Sequence, residues 1–66
     1  MNITVNGKPC EIEAPATITD LLQQLQIDTQ QVAVEVNLNL IPRERHAQHS
    51  LSAGDCLEIV TLVGGG

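Results

Sequence analysis

The chain has 66 residues, no Phe, Tyr or Trp, and a formal net charge of -5 from eight acids against three bases. A chain this short builds one domain and one thin core, because it buries only about 60% of its unfolded surface, and an aliphatic core leaves little room for a substrate pocket of the usual ~300 Å³ or more. The acidity repels phosphate backbones and the missing aromatics remove stacking platforms, so autonomous catalysis and nucleic-acid binding are both disfavoured.

No stretch approaches the ~20 apolar residues of a membrane span, and the start MNITVNGKPC lacks the basic residues and apolar block of a signal peptide. The expectation is a cytoplasmic, membrane-free protein. Cys10 and Cys56 have no C-x-x-C spacing and are too few for a disulfide framework, which makes reduced thiols the default.

In chain order, Met1 to Val5 alternates with Ile3 and Val5 on one face, and Asn6-Gly7 is a two-residue hairpin signal. Cys10, Ile12 and Ala14 then share the inward face of the return strand. After Pro15, Thr17 and Asp20 form a capping-box pattern with Asp in place of Glu. Ile18, Leu21, Leu22 and Leu25 follow at i, i+3, i+4 and i+7, which predicts an amphipathic helix of about two turns.

Gln31 to Val36 alternates with Val32, Val34 and Val36 on one side, and Asn37 and Asn39 around Leu38 mark a turn before a brief Leu40-Ile41 strand stopped by Pro42. Residues 43 to 53 are polar and irregular, with room for one helical turn. Ala53-Gly54-Asp55 is a turn into a closing strand, Cys56 to Val63, in which Leu57 and Ile59 alternate with Glu58 and Val60. The order β-β-α-β-β-β predicts an α+β fold: a mixed sheet of four to five strands with one helix across one face and water on the other.

The chain then ends in Gly64, Gly65 and Gly66. Glycines add no packing and lose the most backbone freedom on ordering, so their use lies elsewhere. Without a Cβ they fit a slot too narrow for any other residue, and residues 63 to 66 extended would carry the Gly66 carboxylate roughly 13 Å from the folded body. A frayed tail or a linker is the alternative reading of such an end.

His46 and His49, three apart, suggest a zinc site with Cys56, but without a matched C-x-x-C they read as solvated surface residues, and no metal is expected. Cys10 reads as a small core residue. Cys56 has the parity opposite to Leu57 and Ile59 and faces outward, and no neighbouring base marks it as a reactive thiolate. Arg43 and Arg45 read as solvated loop charge. By the same parity Val60 and Leu62 are outward-facing aliphatics beside the tail and, with Val63, make a candidate docking strip.

The start M-N-I-T-V-N-G, then T-I-T-D-L-L-Q-Q-L, V-A-V-E-V-N, L-I-P-R-E-R-H, A-G-D-C-L-E-I-V and the V-G-G-G end together resemble the ThiS family, the β-grasp, ubiquitin-like sulfur carriers of thiamine biosynthesis. The chain has Asn37-Leu38 where that family often has Asn-Gly, and His46 where it often has an aromatic residue. The related molybdopterin-synthase small subunit usually carries Pro-Pro where Val60-Thr61-Leu62 stands, which favours thiamine; a ubiquitin-like modifier or interaction module is the other class.

The resemblance implies a single carrier domain over residues 1–66 with a tail at 63–66, itself not an enzyme and holding no cofactor. It further implies that a ThiF-type enzyme uses ATP to adenylate Gly66, with Gly64 and Gly65 threading into its site. A cysteine-desulfurase-derived persulfide then yields a thiocarboxylate at Gly66, and the thiazole synthase ThiG receives the sulfur.

Overall fold

The computed structural model describes residues 1–62. Two strands, β1 (Asn2–Val5) and β2 (Lys8–Glu11), form the opening hairpin. Its tip is a two-residue turn with Asn6 at φ 52° and Gly7 at φ 81°. Two successive positive φ values match the right-handed twist of the strands, which is why Asn-Gly stands there.

The helix α1 (Ile18–Gln24) starts at Thr17, whose Oγ1 accepts from the Asp20 N–H at 3.2 Å while Asp20 Oδ2 accepts from the Thr17 N–H at 2.8 Å. The first N–H groups of a helix have no partner within it, and here all four find one outside the usual ladder or at its first rung. Ile18 donates to the His49 carbonyl, Thr19 to the His46 carbonyl, Asp20 to Thr17 Oγ1 and Leu21 to the Thr17 carbonyl. The polar segment 43–51 therefore caps the helix. Within it, one 3₁₀ turn forms at Arg43–Arg45.

A 3₁₀ turn at Thr29–Gln31 leads into β3 (Val32–Val36), followed by β4 (Asn39–Ile41) and β5 (Cys56–Thr61). The five strands lie in the order β2-β1-β5-β3-β4, with β1 and β5 parallel and every other pair antiparallel. One face carries Ile3, Val32, Val34, Val36, Leu57 and Ile59, which pack with Ile18, Leu21 and Leu22 of the helix. Ile18, Leu21, Leu22 and Val34 are wholly removed from solvent.

Two expectations from residue periodicity fail locally. Ala14 is exposed, because β2 ends at Glu11 and strand parity has no meaning beyond it; Ala16 enters the core in its place. Leu25 is the helix C-cap rather than a core position and stands at the edge of exposure.

Both sheet edges are short. On β2, Pro9 lies opposite Thr4, whose N–H points the other way, to the Asp55 carbonyl just before β5. The backbone of residue 9 thus faces the open edge, where proline supplies no N–H. On the opposite edge β4 has three residues.

Candidate functional site

The site candidate is the end of β5, where the chain leaves the sheet. Glu58, Val60 and Leu62 face away from the helix, while Leu57 and Ile59 face it. Val60 is 56% and Leu62 53% exposed, so two aliphatic side chains stand in water on the open face. Val60 lies opposite Ala33 of β3, which extends the apolar strip across the strand pair, and Glu58 lies opposite Glu35. The strip thus has an acidic border.

On one side the pairing with β3 runs one residue past the end of the strand. Just past β5, the Leu62 N–H donates to the carbonyl of Gln31, the residue before β3, at 2.6 Å. Arg43 reaches the same short segment, with Nη1 3.4 Å from the Gln30 carbonyl. That places one of the chain's few bases beside the exit of β5, more specifically than loop charge in general.

On the other side, the carboxamide of Asn6 clamps the strand: its Oδ1 accepts from the Ile59 N–H at 2.7 Å and its Nδ2 donates to the Ile59 carbonyl at 3.1 Å. A side-chain amide carries the same donor and acceptor as a backbone residue, so Asn6 acts as one further rung after β1 ends. Asn37 does the same at the start of β5, accepting from the Cys56 N–H through Oδ1 at 3.0 Å while its own N–H donates to the Cys56 carbonyl. Both asparagines were visible as turn residues; their grip on a strand far along the chain was not.

Val63, Gly64, Gly65 and Gly66, the remainder of the sequence-derived site, lie outside the described residues. Cys10 is half-buried against the core and Cys56 is exposed, and both are free thiols. Among the described residues no group of three or more His, Cys, Asp or Glu side chains is placed to hold a metal ion.

His46 corrects its reading as a surface residue: it is 3% exposed. The 3₁₀ turn ends at this residue, which brings its Nε2 to 3.0 Å from the Ile41 carbonyl. A carbonyl can only accept, so Nε2 donates to it, and Nδ1 is buried with no partner among the described residues. His49 is half-buried and lines, with Arg45 and Gln48, a concavity of about 90 Å³, too small for a substrate of ordinary size. His46 therefore plugs the core, and the two histidines do not act as a pair.

A five-stranded mixed sheet with one helix across it, and an aliphatic strip running to a strand end that continues into glycines, defines a β-grasp protein of the ubiquitin-like kind. The ThiS family model matches residues 3–66, and the chain belongs to the ThiS family. It superposes on the crystal structure of a thiamine biosynthesis protein, ThiS, from Geobacter metallireducens with a TM-score of 0.84 and 35% identity, each chain covered in full. It is 38% identical over 65 residues to the sulfur carrier protein ThiS of Bacillus subtilis (strain 168), covering 97% of this chain and 98% of that one. It is also 41% identical over 66 residues to a thiazole synthase of Paramagnetospirillum magneticum, covering all of this chain but only 20% of that protein's length.

Proposed function

We propose that the chain is a sulfur carrier for thiazole formation in thiamine biosynthesis, with the carboxylate of Gly66 as the group that is charged. The observation that carries this reading is the family match, which continues past the described fold through the terminal glycines to residue 66. The chain is then a substrate of other enzymes. A free carboxylate is a poor electrophile, so a ThiF-type enzyme transfers AMP from ATP to the Gly66 carboxylate, releasing pyrophosphate. The terminal sulfur of a persulfide, derived from a cysteine desulfurase, attacks the acyl carbon and displaces AMP. Reduction of the resulting S–S bond by a thiol leaves the thiocarboxylate at Gly66.

The sulfur then passes to a thiazole synthase of the ThiG kind. The thiazole synthase from Paramagnetospirillum magneticum supports this step, since one region of it resembles this whole chain. In docking, Val60, Leu62 and Val63 form the anchor, with Glu58 and Arg43 at its border, while Gly64 and Gly65 thread toward ATP. Central aliphatic contacts ringed by charge suit a partner that binds and releases repeatedly. Charging takes place in the cytoplasm, in keeping with the two free thiols. Among the described residues no helix is long and apolar enough to cross a membrane.

Intact-mass analysis tests the proposal. After incubation with ATP, the adenylating enzyme and a sulfur donor, the carrier gains the mass of sulfur in place of oxygen. A covalent conjugate to another protein would instead mark a ubiquitin-like modifier, and an unchanged mass would end the carrier reading.

A further inference from the structure

The two edges of the sheet are built differently. At β2 the border carries Lys8, Pro9 and Glu11, two charges and a missing donor, which are the usual defences of an exposed edge. At the other edge β4, Asn39–Ile41, has neither charge nor proline. From Asn37 to Pro42 the chain reads N-L-N-L-I-P without one ionisable group, in a protein whose net charge is -5. Within this run Leu38 is 89% and Leu40 65% exposed, the two most exposed large aliphatic side chains among the described residues.

The backbone of Leu40 is turned toward that edge. In an antiparallel ladder, alternate residues direct both backbone groups to the same neighbour. The Asn37 N–H donates to the Cys56 carbonyl and the Leu62 N–H to the Gln31 carbonyl, so odd-numbered residues along β3 address β5. Glu35 is one of them, and Leu40, directly opposite Glu35, addresses the outer side. β4 is the outermost strand of the described sheet, and β5 ends beside Gln31, at the other end of β3 from the Asn37-Leu38 turn. Leu40 thus offers one donor and one acceptor in strand geometry. Its side chain lies with Glu35 on the open face, since Val34 and Val36 on either side of Glu35 are buried.

We propose that β4 pairs with β4 of a second copy of this chain, antiparallel about a two-fold axis at Leu40. The two Leu40 residues then exchange N–H and C=O, and Leu38 of each copy lies across from Pro42 of the other. A second copy fits because the strip is self-complementary: apolar residues meet apolar residues, with no charge to repel its own image. A different partner for so acidic a chain would be selected by basic groups, and this strip has no acid for them to read. The nearest facing acids are the two Glu35 residues, three strand spacings or roughly 14 Å apart, farther than the screening length of about 10 Å at 0.1 M salt.

The same pairing sets the stoichiometry. Each copy's other edge is β2, where Pro9 supplies no N–H, so the assembly closes at two. It also gives Leu38 a role that one copy does not: an exposed aliphatic residue held at φ 72° gains an apolar neighbour in Pro42 of the second copy. Val60, two strands away on β5, stays uncovered, so the dimer does not rest on the carrier reading and does not compete with it.

Sedimentation equilibrium of the full chain tests the pairing at an ionic strength of about 0.1 M and up to about 1 mM protein, where weak interfaces are populated. The expected result is a monomer–dimer equilibrium with no larger species. Leu40→Lys sets like charges face to face and should weaken the dimer roughly tenfold or more, even though it lowers the net charge and with it the general repulsion. Val60→Asp should leave the dimer within about twofold of wild type, as for a site outside the contact. Amide hydrogen exchange on the wild-type chain is independent of any variant's folding: the Leu40 amide should slow as concentration rises, while the Ile41 amide, on the β3 side, is slow throughout. A chain that stays monomeric at the highest concentration, a dimer that survives Leu40→Lys or is lost in Val60→Asp, or a Leu40 amide indifferent to concentration overturns the β4 pairing.

Discussion

Glu35 and Glu58 stand directly opposite each other across β3 and β5 on the open face of the sheet. Like charges in facing positions of an antiparallel pair destabilise it, and salt screens such exposed repulsion. Glu58→Lys should therefore stabilise the fold by roughly 0.2 to 1 kcal/mol and flatten its dependence on sodium chloride. The urea midpoint at low and high salt measures both effects. Glu13→Lys, at an exposed position beyond the sheet, changes net charge equally and is the reference; equal gains in the two variants would assign the effect to overall charge.

Leu38 occupies the second position of the β3–β4 turn at φ 72°, with Asn37 at φ 52°, and is 89% exposed. A left-handed backbone costs a residue bearing a Cβ about 1–2 kcal/mol, and here no buried contact compensates. Leu38→Gly should raise stability by about 0.5 to 1 kcal/mol, the relief being partly offset by the greater freedom of glycine in the unfolded chain. Thermal unfolding reports the sign.

Leu21 is fully buried at the centre of the only α-helix among the described residues. Leu21→Ala should cost about 2 to 5 kcal/mol, comparable to the whole stability of a domain this small. A predominantly unfolded far-ultraviolet circular dichroism spectrum at room temperature is the expected result.

Val60→Asp and Leu62→Asp place a charge on the exposed strip without disturbing the core. Each should weaken the complex with the adenylating enzyme at least tenfold, as loss of a central contact of ~1.4 kcal/mol does, and leave the melting temperature within a few degrees, as surface changes do. Calorimetric titration decides, and wild-type affinity in both variants would remove this face from docking.

Gly65→Val tests the tail itself. A β-branched side chain restricts the backbone and widens the chain, so charging should fail while stability is unchanged. Normal sulfur loading, read by intact mass, would mean that no narrow channel receives the tail.

Much of this architecture is legible in the sequence because it rests on local chemistry. Asn6-Gly7 specifies its turn, Thr17 and Asp20 specify the helix start, and the valines of β3 carry their own parity into the core. Where the outcome depends on distant partners, local pattern is silent. His46 lies in a polar run and looks solvated, yet the Ile41 carbonyl and the helix N-terminus make a buried place for it. The deletion His46→Ala should accordingly cost about 2 kcal/mol or more. Asn6 reads as a turn former, and its second task joins residues 53 positions apart. The outward parity of Val60 and Leu62 was readable, because strand alternation fixes it locally.

Pro9 bears on how such a molecule behaves in company. A small protein whose sheet has one face left open by the described residues is at risk of pairing with itself, edge to edge, into filaments. At the β2 edge, Pro9 presents no N–H to a second copy, and its ring and the neighbouring Lys8 and Glu11 make that border hard to continue. Replacing Pro9 with threonine would restore a regular row of donors there, and concentrated solutions of that variant should thicken into oligomers under conditions in which the parent chain stays dispersed.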